Sequence, residues 1–362
     1  MKQANRLAYF RQLCCLGLGG EVLVPDLMKV LGELLPFTYS VFLWTDAQGQ
    51  PVNLALDQVV PSSLQAFTEA PQLFEAPGEP WVPRLVNGPR LTGNLAPFHD
   101  AAFYQRSAIY HYLYKPYGVV HGLDGSIRDG TRPRALVILY REPCRRAFTP
   151  REERLLAQLL PYMRLALDRG PPSPGEGWVD SADCGTLLAS RDGRVQFASP
   201  SARRLLVYAT APCVAPGVRA QADSEAAGAV LRRLCRQLLA VQGSSDAGPP
   251  ALSLCNAWGR FRLQAFPMLP QPDAGWGAPA DPVVILIRRL QPLRLRVAQR
   301  LGQLPLSPRE REVAQLLALG VERAEVELRL GIGGETVRDH VRRIYAKLGV
   351  HTRSELRAQL VE

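Results

Sequence analysis

Near the carboxyl end of this 362-residue chain, Val337, Val341, Ile344 and Leu348 recur at intervals of four, three and four residues. At about 100° of rotation per residue that spacing gathers all four on one side of a helix, which fixes the composition of the other side. The far side carries Glu335, Arg338, Asp339, Arg342 and, further round, Arg343. A helix divided in this way buries one edge against other helices and offers the other to water or a polar partner. The flanking sequence supplies those helices. Ser307 and Glu310 form a capping box around Pro308, and Val313, Leu316 and Leu317 make an apolar stripe that Gly320 ends. A short helix with Val326 and Leu330 one turn apart follows, then a turn at Gly331. Gly349 closes the long helix, and Thr352 with Glu355 caps a fourth.

The polar edge suits a DNA major groove, which is about 12 Å wide and admits one helix. Pro308-Arg309-Glu310, Gly320, Thr336-Val337-Arg338-Asp339-His340 and Lys347-Leu348-Gly349-Val350 together resemble the LuxR-type helix-turn-helix family. The resemblance implies that the helix at Glu335 to Leu348 enters the groove. By matched position it places Arg338, Asp339 and Arg342 at base edges and Thr336, Arg343 and Lys347 at backbone phosphate. The chemistry agrees, because Arg pairs bidentately with guanine, Asp accepts from cytosine, and cations on phosphate give salt-dependent affinity. The other account of each charge is an ordinary solvated helix face, and an i, i+4 pair with Arg343 explains Asp339 equally well. His340 lies nearer the apolar side and reads as a packing or capping residue. Two positions depart from the pattern. Glu327 stands where alanine is usual, so its carboxylate must find a partner or tilt outward, and Ala324 replaces a basic residue that would meet phosphate.

Upstream, the sequence predicts an α+β chain with two antiparallel-sheet sensor domains ahead of an all-α, four-helix terminal domain. Residues 1–169 combine a helix at Asp26 to Leu35, a hairpin of Tyr39 to Trp44 and Val52 to Leu56, β-rich runs at Ala108 to Tyr114 and Ala135 to Tyr140, and a closing helix begun by Thr149-Pro150-Arg151-Glu152. Their order resembles a GAF-like domain. Residues 170–177, beginning with two adjacent prolines after Gly170, form a linker. Residues 178–290 resemble a PAS-like domain. They read as a strand, an Asp192-Gly193 turn, a strand, a helix capped by Ser199 with Pro200 first, and further strands at Ala251 to Leu254, Gly259 to Phe266 and Val283 to Ile287. Two breaks, Gly243 to Pro250 and Pro270 to Pro282, are expected as loops between strands. Residues 291–303 form a connector helix whose Leu293, Val297, Leu301 and Leu304 share a face, either for the terminal domain (304–362) or for a second subunit.

The formal charge of +10 favours a polyanionic partner, and residues 288–300 hold Arg288, Arg289, Arg294, Arg296 and Arg300 without an acid. The seven cysteines are scattered with no CxxC spacing, which fits neither a disulfide framework nor a zinc site, although adjacent Cys14 and Cys15 also suit a redox pair. The amino-terminal residues lack the pattern of a signal peptide and no run is long enough to span a membrane, so a cytoplasmic protein without membrane association is expected. No histidine falls between His121 and His340, which excludes a His-ligated haem from residues 178–290. The upstream region lacks Walker, nucleophile-elbow and HExxH motifs, and His99, His111 and His121 have no spacing that suggests a site. The expectation is a non-enzymatic, sequence-specific transcription regulator governed by its sensor region. It binds double-stranded DNA as a homodimer, with RNA polymerase as a candidate partner. No cofactor is called for, and a small-molecule ligand of open identity fits either sensor domain. Two other readings are a signalling adaptor and an enzyme fused to a regulator.

Overall fold

The computed structural model describes residues 3–55, 75–76, 79–94, 110–111, 115–116, 118–168, 177–215, 224–241, 248–268 and 282–361. The expected linker at 170–176, most of the two loops and most of the Ala108 to Tyr114 run lie outside the described residues, as does His99. The chain is α+β, with two antiparallel five-stranded sheets ahead of a helical carboxyl-terminal segment. It divides into two compact units, one made of residues 37–164 and 180–290, the other of residues 1–36, 165–179 and 291–362.

In the first unit, β1 (Tyr39–Thr45) and β2 (Pro51–Leu54) form the expected hairpin. Asp46 Oδ1 accepts from the backbone N–H groups of Gln48 (2.9 Å) and Gln50 (2.8 Å), while Gly49 takes a positive φ of 85° that disfavours other residues. A short pair, β3 (Glu75–Ala76) and β4 (Glu79–Pro80), leads into α3 (Trp81–Asn87). Then come β5 (Thr92–Asn94), β6 (His121–Asp129), β7 (Arg132–Arg141) and the helix α4 (Pro150–Leu167). The sheet order is β2-β1-β7-β6-β5. Strand β6 was not anticipated. Its sequence HGLDGSIRD alternates poorly because six consecutive residues from Gly122 to Ile127 are buried, so both faces are covered. Gly125 is required there, since a β-carbon would lie 2.9 Å from Leu160 Cδ2 on α4.

The second sheet is built from β8 (Trp178–Ala189), β9 (Val195–Ala198), β10 (Ala251–Asn256), β11 (Gly259–Pro267) and β12 (Val283–Pro292) in the order β10-β11-β12-β8-β9. Counted within each sheet, both follow the succession 2-1-5-4-3, a repeat of topology with no visible repeat of sequence. Helix α5 (Pro200–Thr210) is capped as expected, with Ser199 Oγ accepting from the Ala202 N–H at 3.2 Å. The apolar run before Gly243, expected as a strand, is instead the helix α6 (Glu225–Val241). Its buried residues Ala227, Leu231, Leu234 with Cys235, and Leu238 recur about once per helical turn, and the segment is rich in the helix formers Ala, Leu, Arg and Gln. The Trp44 ring meets Trp258 edge-on at 5.6 Å, and Asn53 Oδ1 accepts from the Val214 N–H at 2.8 Å, so residues of both sheets share one unit.

The second unit joins α1 (Gln3–Cys14) and α2 (Gly20–Leu34) to five carboxyl-terminal helices, α7 (Leu293–Gln303), α8 (Pro308–Ala318), α9 (Arg323–Leu330), α10 (Gly334–Leu348) and α11 (Arg353–Val361). The amino-terminal helices thus group with the terminal domain, although the sequence had suggested one domain running from residue 1 to 169. Tyr9 lies over Gly302, whose β-carbon would fall 2.7 Å from the ring. Gln299 Nε2 donates to Asp26 Oδ1 at 3.0 Å, and Arg311, fully buried, donates to the Asn5 carbonyl at 3.2 Å. The apolar face of α7 enters the same core, with Val297 and Leu301 packed among Val313, Leu317 and Leu356. That face is therefore occupied within the chain. Among the described residues no helix is long and apolar enough to cross a membrane.

Candidate nucleic-acid interface

The interface candidate is one helix held by three others. Ser307 caps α8 reciprocally: its Oγ accepts from the Glu310 N–H at 3.3 Å while Glu310 Oε2 accepts from the Ser307 N–H at 2.7 Å. Gly331 and Gly349, at φ of 61° and 66°, end α9 and α10 in the left-handed conformation that glycine adopts without a steric cost. Val337, Val341 and Ile344 are buried against Val313, Leu317 and Val326, and Leu348 is half-buried beside them. Arg353 ties the last helix back by donating to the Leu317 carbonyl at 2.9 Å and the Val321 carbonyl at 3.1 Å. The sequence reading overlooked Arg353, because its acceptors, at the end of α8 and in the connection after it, lie more than thirty residues away.

With one side of α10 so engaged, the other faces solvent. Arg338 is 68% exposed and pairs with Glu335 one turn back, and Arg342 is 77% exposed and pairs with Asp339 at 3.0 Å. Asp339 therefore binds Arg342 across i, i+3, where the alternative account of this residue had been an i, i+4 pair with Arg343. Both pairs lie in water, where they are weak and screened, so either arginine can exchange its carboxylate for another acceptor. Thr336 and Arg343 are also exposed. His340 is half-buried with Nδ1 shielded and unbonded, on the apolar side as expected.

Lys347 behaves differently. Its ammonium donates to both oxygens of Glu310, at 2.9 and 2.7 Å, linking the last turn of α10 to the first turn of α8. Burial raises the Glu310 carboxyl, but the hydrogen bonds from Lys347 and Ser307 outweigh it and hold the group below the usual carboxylate range. Two of the three Lys347 donors are thereby committed within the chain. Glu327 settles the question raised by its unusual position. Its carboxylate lies over Gly334, where a β-carbon would be 2.9 Å from Oε1, so it sits at the amino-terminal end of α10, the positive pole of the helix dipole. Ala324 is exposed.

Residues 304–358 match the family model described as bacterial regulatory proteins, luxR family. This segment is a LuxR-family domain. The match covers α8 to α10 and most of α11, so all six residues singled out on α10 lie inside the matched segment. No curated protein matches the chain. Among solved structures, the chain is similar to a phage VqmA in complex with DPO, with 20% identity, a TM-score of 0.19, and coverage of 50% of this chain and 81% of that one. It is also similar to a Vibrio cholerae VqmA dimer, described as a LuxR-type receptor, at 14% identity and a TM-score of 0.20 over 50% of this chain and 82% of that one. The E. coli DhaR(N)–DhaL complex covers more, 79% of this chain and 87% of that one, at 10% identity and a TM-score of 0.23. At TM-scores this low none of the three bears on function.

Proposed function

We propose that this chain is a sequence-specific DNA-binding transcription regulator that lays α10 in the major groove. The observation that carries the reading is the exposed edge of Arg338, Asp339 and Arg342 set opposite the buried seam of Val337, Val341 and Ile344. Arg338 and Arg342 release their own-helix carboxylates to pair with guanine, and Asp339 accepts from a cytosine amino group. Thr336 and Arg343 meet phosphate, and Lys347 contributes its remaining donor there. Two copies bind adjacent half-sites about one helical turn apart, and the bound dimer engages RNA polymerase. The sheet-bearing region, GAF-like and PAS-like in its element order, governs this output by sensing a small molecule. The protein works in the cytoplasm and has no catalytic role.

Gel retardation with operator-length duplexes tests the assignment. Wild-type protein is expected to bind with a steep salt dependence, and Arg338→Ala or Arg342→Ala to lose about 1–3 kcal/mol of discrimination between preferred and random duplex. Arg343→Ala lowers the salt slope by about one, whereas Lys347→Met lowers it by clearly less because most of its charge is spent on Glu310. Full sequence preference in both Arg338→Ala and Arg342→Ala would defeat the groove assignment. Failure of wild-type protein to retard any duplex would favour a signalling adaptor.

A further inference from the structure

Strand β6 presents an acid that the DNA-binding reading does not use. Gly125 faces helix α4, against Leu156 and Leu160, so its neighbours Asp124 and Ser126 point to the opposite side of the sheet. The Ser126 hydroxyl is satisfied there by the Val86 carbonyl at 3.2 Å. Asp124 is only 5% exposed, yet its Oδ1 receives no hydrogen bond. Buried polar atoms are almost always paired, and an acceptor kept dry without a donor marks a place where something outside the chain supplies one.

The surroundings define what that donor belongs to. By register, Ile138 on β7 and Gly93 on β5 flank Asp124, with Leu136 further along β7 and Val41 beyond Ile138 on β1, a mostly apolar face. Gly93 matters, since a β-carbon there would stand 2.8 Å from Asp124 Oδ1 and fill the space beside the oxygen. Arg128 lies on the same face, but its guanidinium is engaged by Ser126 Oγ at 2.8 Å and by the carbonyls of Gly88 at 2.6 Å and Arg90 at 3.2 Å. The charge that acts on Asp124 is instead the carboxylate of Glu153. Burial pushes the Asp124 carboxyl up to about 7, its own backbone N–H pulls it partly back, and Glu153 raises it again. Glu153 stands on α4, across the sheet from this face, so what the face itself offers is a buried carboxylate oxygen without a donor among apolar neighbours, and its complement is a cationic N–H donor on a hydrophobic body.

We propose that Asp124 is the recognition group of a small-molecule site on this sheet face, and that the site takes a small, largely apolar amine or amidine in its protonated form. The site stands independently of the DNA interface, and its test reads ligand binding alone. Full-length protein is titrated calorimetrically with benzamidine and phenylethylamine, and with their uncharged counterparts benzamide and phenylethanol. The charged probes are expected to bind saturably and at least roughly tenfold more tightly than the neutral ones. Asp124→Asn keeps the shape and is expected to erase that preference, and Gly93→Ala to reduce it by crowding Oδ1. Carbon NMR of the Asp124 carboxyl in wild-type protein is expected to show its titration midpoint falling when benzamidine is added, a readout that needs no variant if Asp124→Asn does not fold. Equal affinity for charged and neutral probes, undiminished preference in both variants, an unmoved midpoint, or no saturable binding of either amine would overturn the proposal. DNA retardation by wild-type protein is the same whichever result is obtained, so failure here leaves the groove assignment untouched.

Discussion

The tetrapeptides Thr149-Pro150-Arg151-Glu152 and Ser307-Pro308-Arg309-Glu310 open two helices in two different units by the same device. In each, the glutamate accepts from the backbone N–H of the cap residue, at 2.8 and 2.7 Å, while the cap hydroxyl accepts from the glutamate N–H at 3.3 Å. They differ in the cation that reaches the carboxylate from far along the chain or across the fold. Glu152 is held at 2.8 Å by Arg141, which is 4% exposed, lies over the Phe148 ring and ends strand β7. Glu310 is held by Lys347, which is 41% exposed and belongs to α10. The first cation locks a helix to a sheet. The second ties the last turn of α10 to the first turn of α8. A local sequence code therefore specifies the cap and leaves its use to a residue the code does not contain.

If that contrast is right, removing the two cations has unequal effects. Arg141→Met removes the buried guanidinium from Glu152 and leaves the carboxylate its Thr149 hydrogen bonds and the exposed Arg146 at 4.0 Å, and breaking a buried pair in this way costs about 3–5 kcal/mol. Lys347→Met leaves the Glu310 carboxylate the hydrogen bond from the Ser307 N–H and lets water reach the site where the half-exposed ammonium stood, so a loss of about 1–2 kcal/mol is expected. Chemical denaturation of both variants measures the difference. Equal losses would mean that the two boxes are anchored alike and that exposure of the cation is immaterial.

The terminal helices were legible because the apolar period of α10, the glycine stops and the capping box of α8 all lie within one continuous segment. The strands of the second sheet and the cap at Ser199 were legible for the same reason. Strand β6 was not, since Gly122, Asp124, Gly125 and Ser126 are there for close packing and for a buried polar site, and these replace the alternation by which strands are recognised. The Lys347–Glu310 and Arg353–Leu317 links, and the docking of Tyr9 and Asn5 on the terminal helices, join residues distant in sequence, so no window of sequence contains both partners. The position of Asp339 shows the limit even within one helix. Both Arg342 and Arg343 lie within reach by spacing, and the direction of its side chain chose the nearer.

Acid provides a smaller, signed comparison. Burial alone would raise Glu152, but the hydrogen bonds from Arg141 and Thr149 bring its carboxyl down to about 2, and Glu310 is lowered in the same direction. A carboxyl depressed in the folded state adds stability that is fully present above the unfolded value of about 4.3 and is lost as pH falls through the folded value. Wild-type stability is thus expected to decline between about pH 5 and pH 2, and Glu152→Gln to flatten that decline more than Glu310→Gln. Denaturation midpoints measured across that range check the ranking, and an identical acid response from the two variants would contradict it.

The smallest effect should be the one the two sites share. Thr149→Ala and Ser307→Ala each remove a hydroxyl that accepts from the third residue of its helix at 3.3 Å, so each is expected to cost about 1 kcal/mol. Because the cation is untouched in both, the two losses should be similar, with Thr149→Ala the larger because its hydroxyl also donates to Glu152 Oε2 at 2.8 Å. The same two variants also separate cap from anchor. If Ser307→Ala cost as much as Lys347→Met and abolished its effect in the double variant, the hydroxyl and the ammonium would act through one coupled network around Glu310. The local code and its distant partner would then be inseparable at the DNA-binding end of the chain.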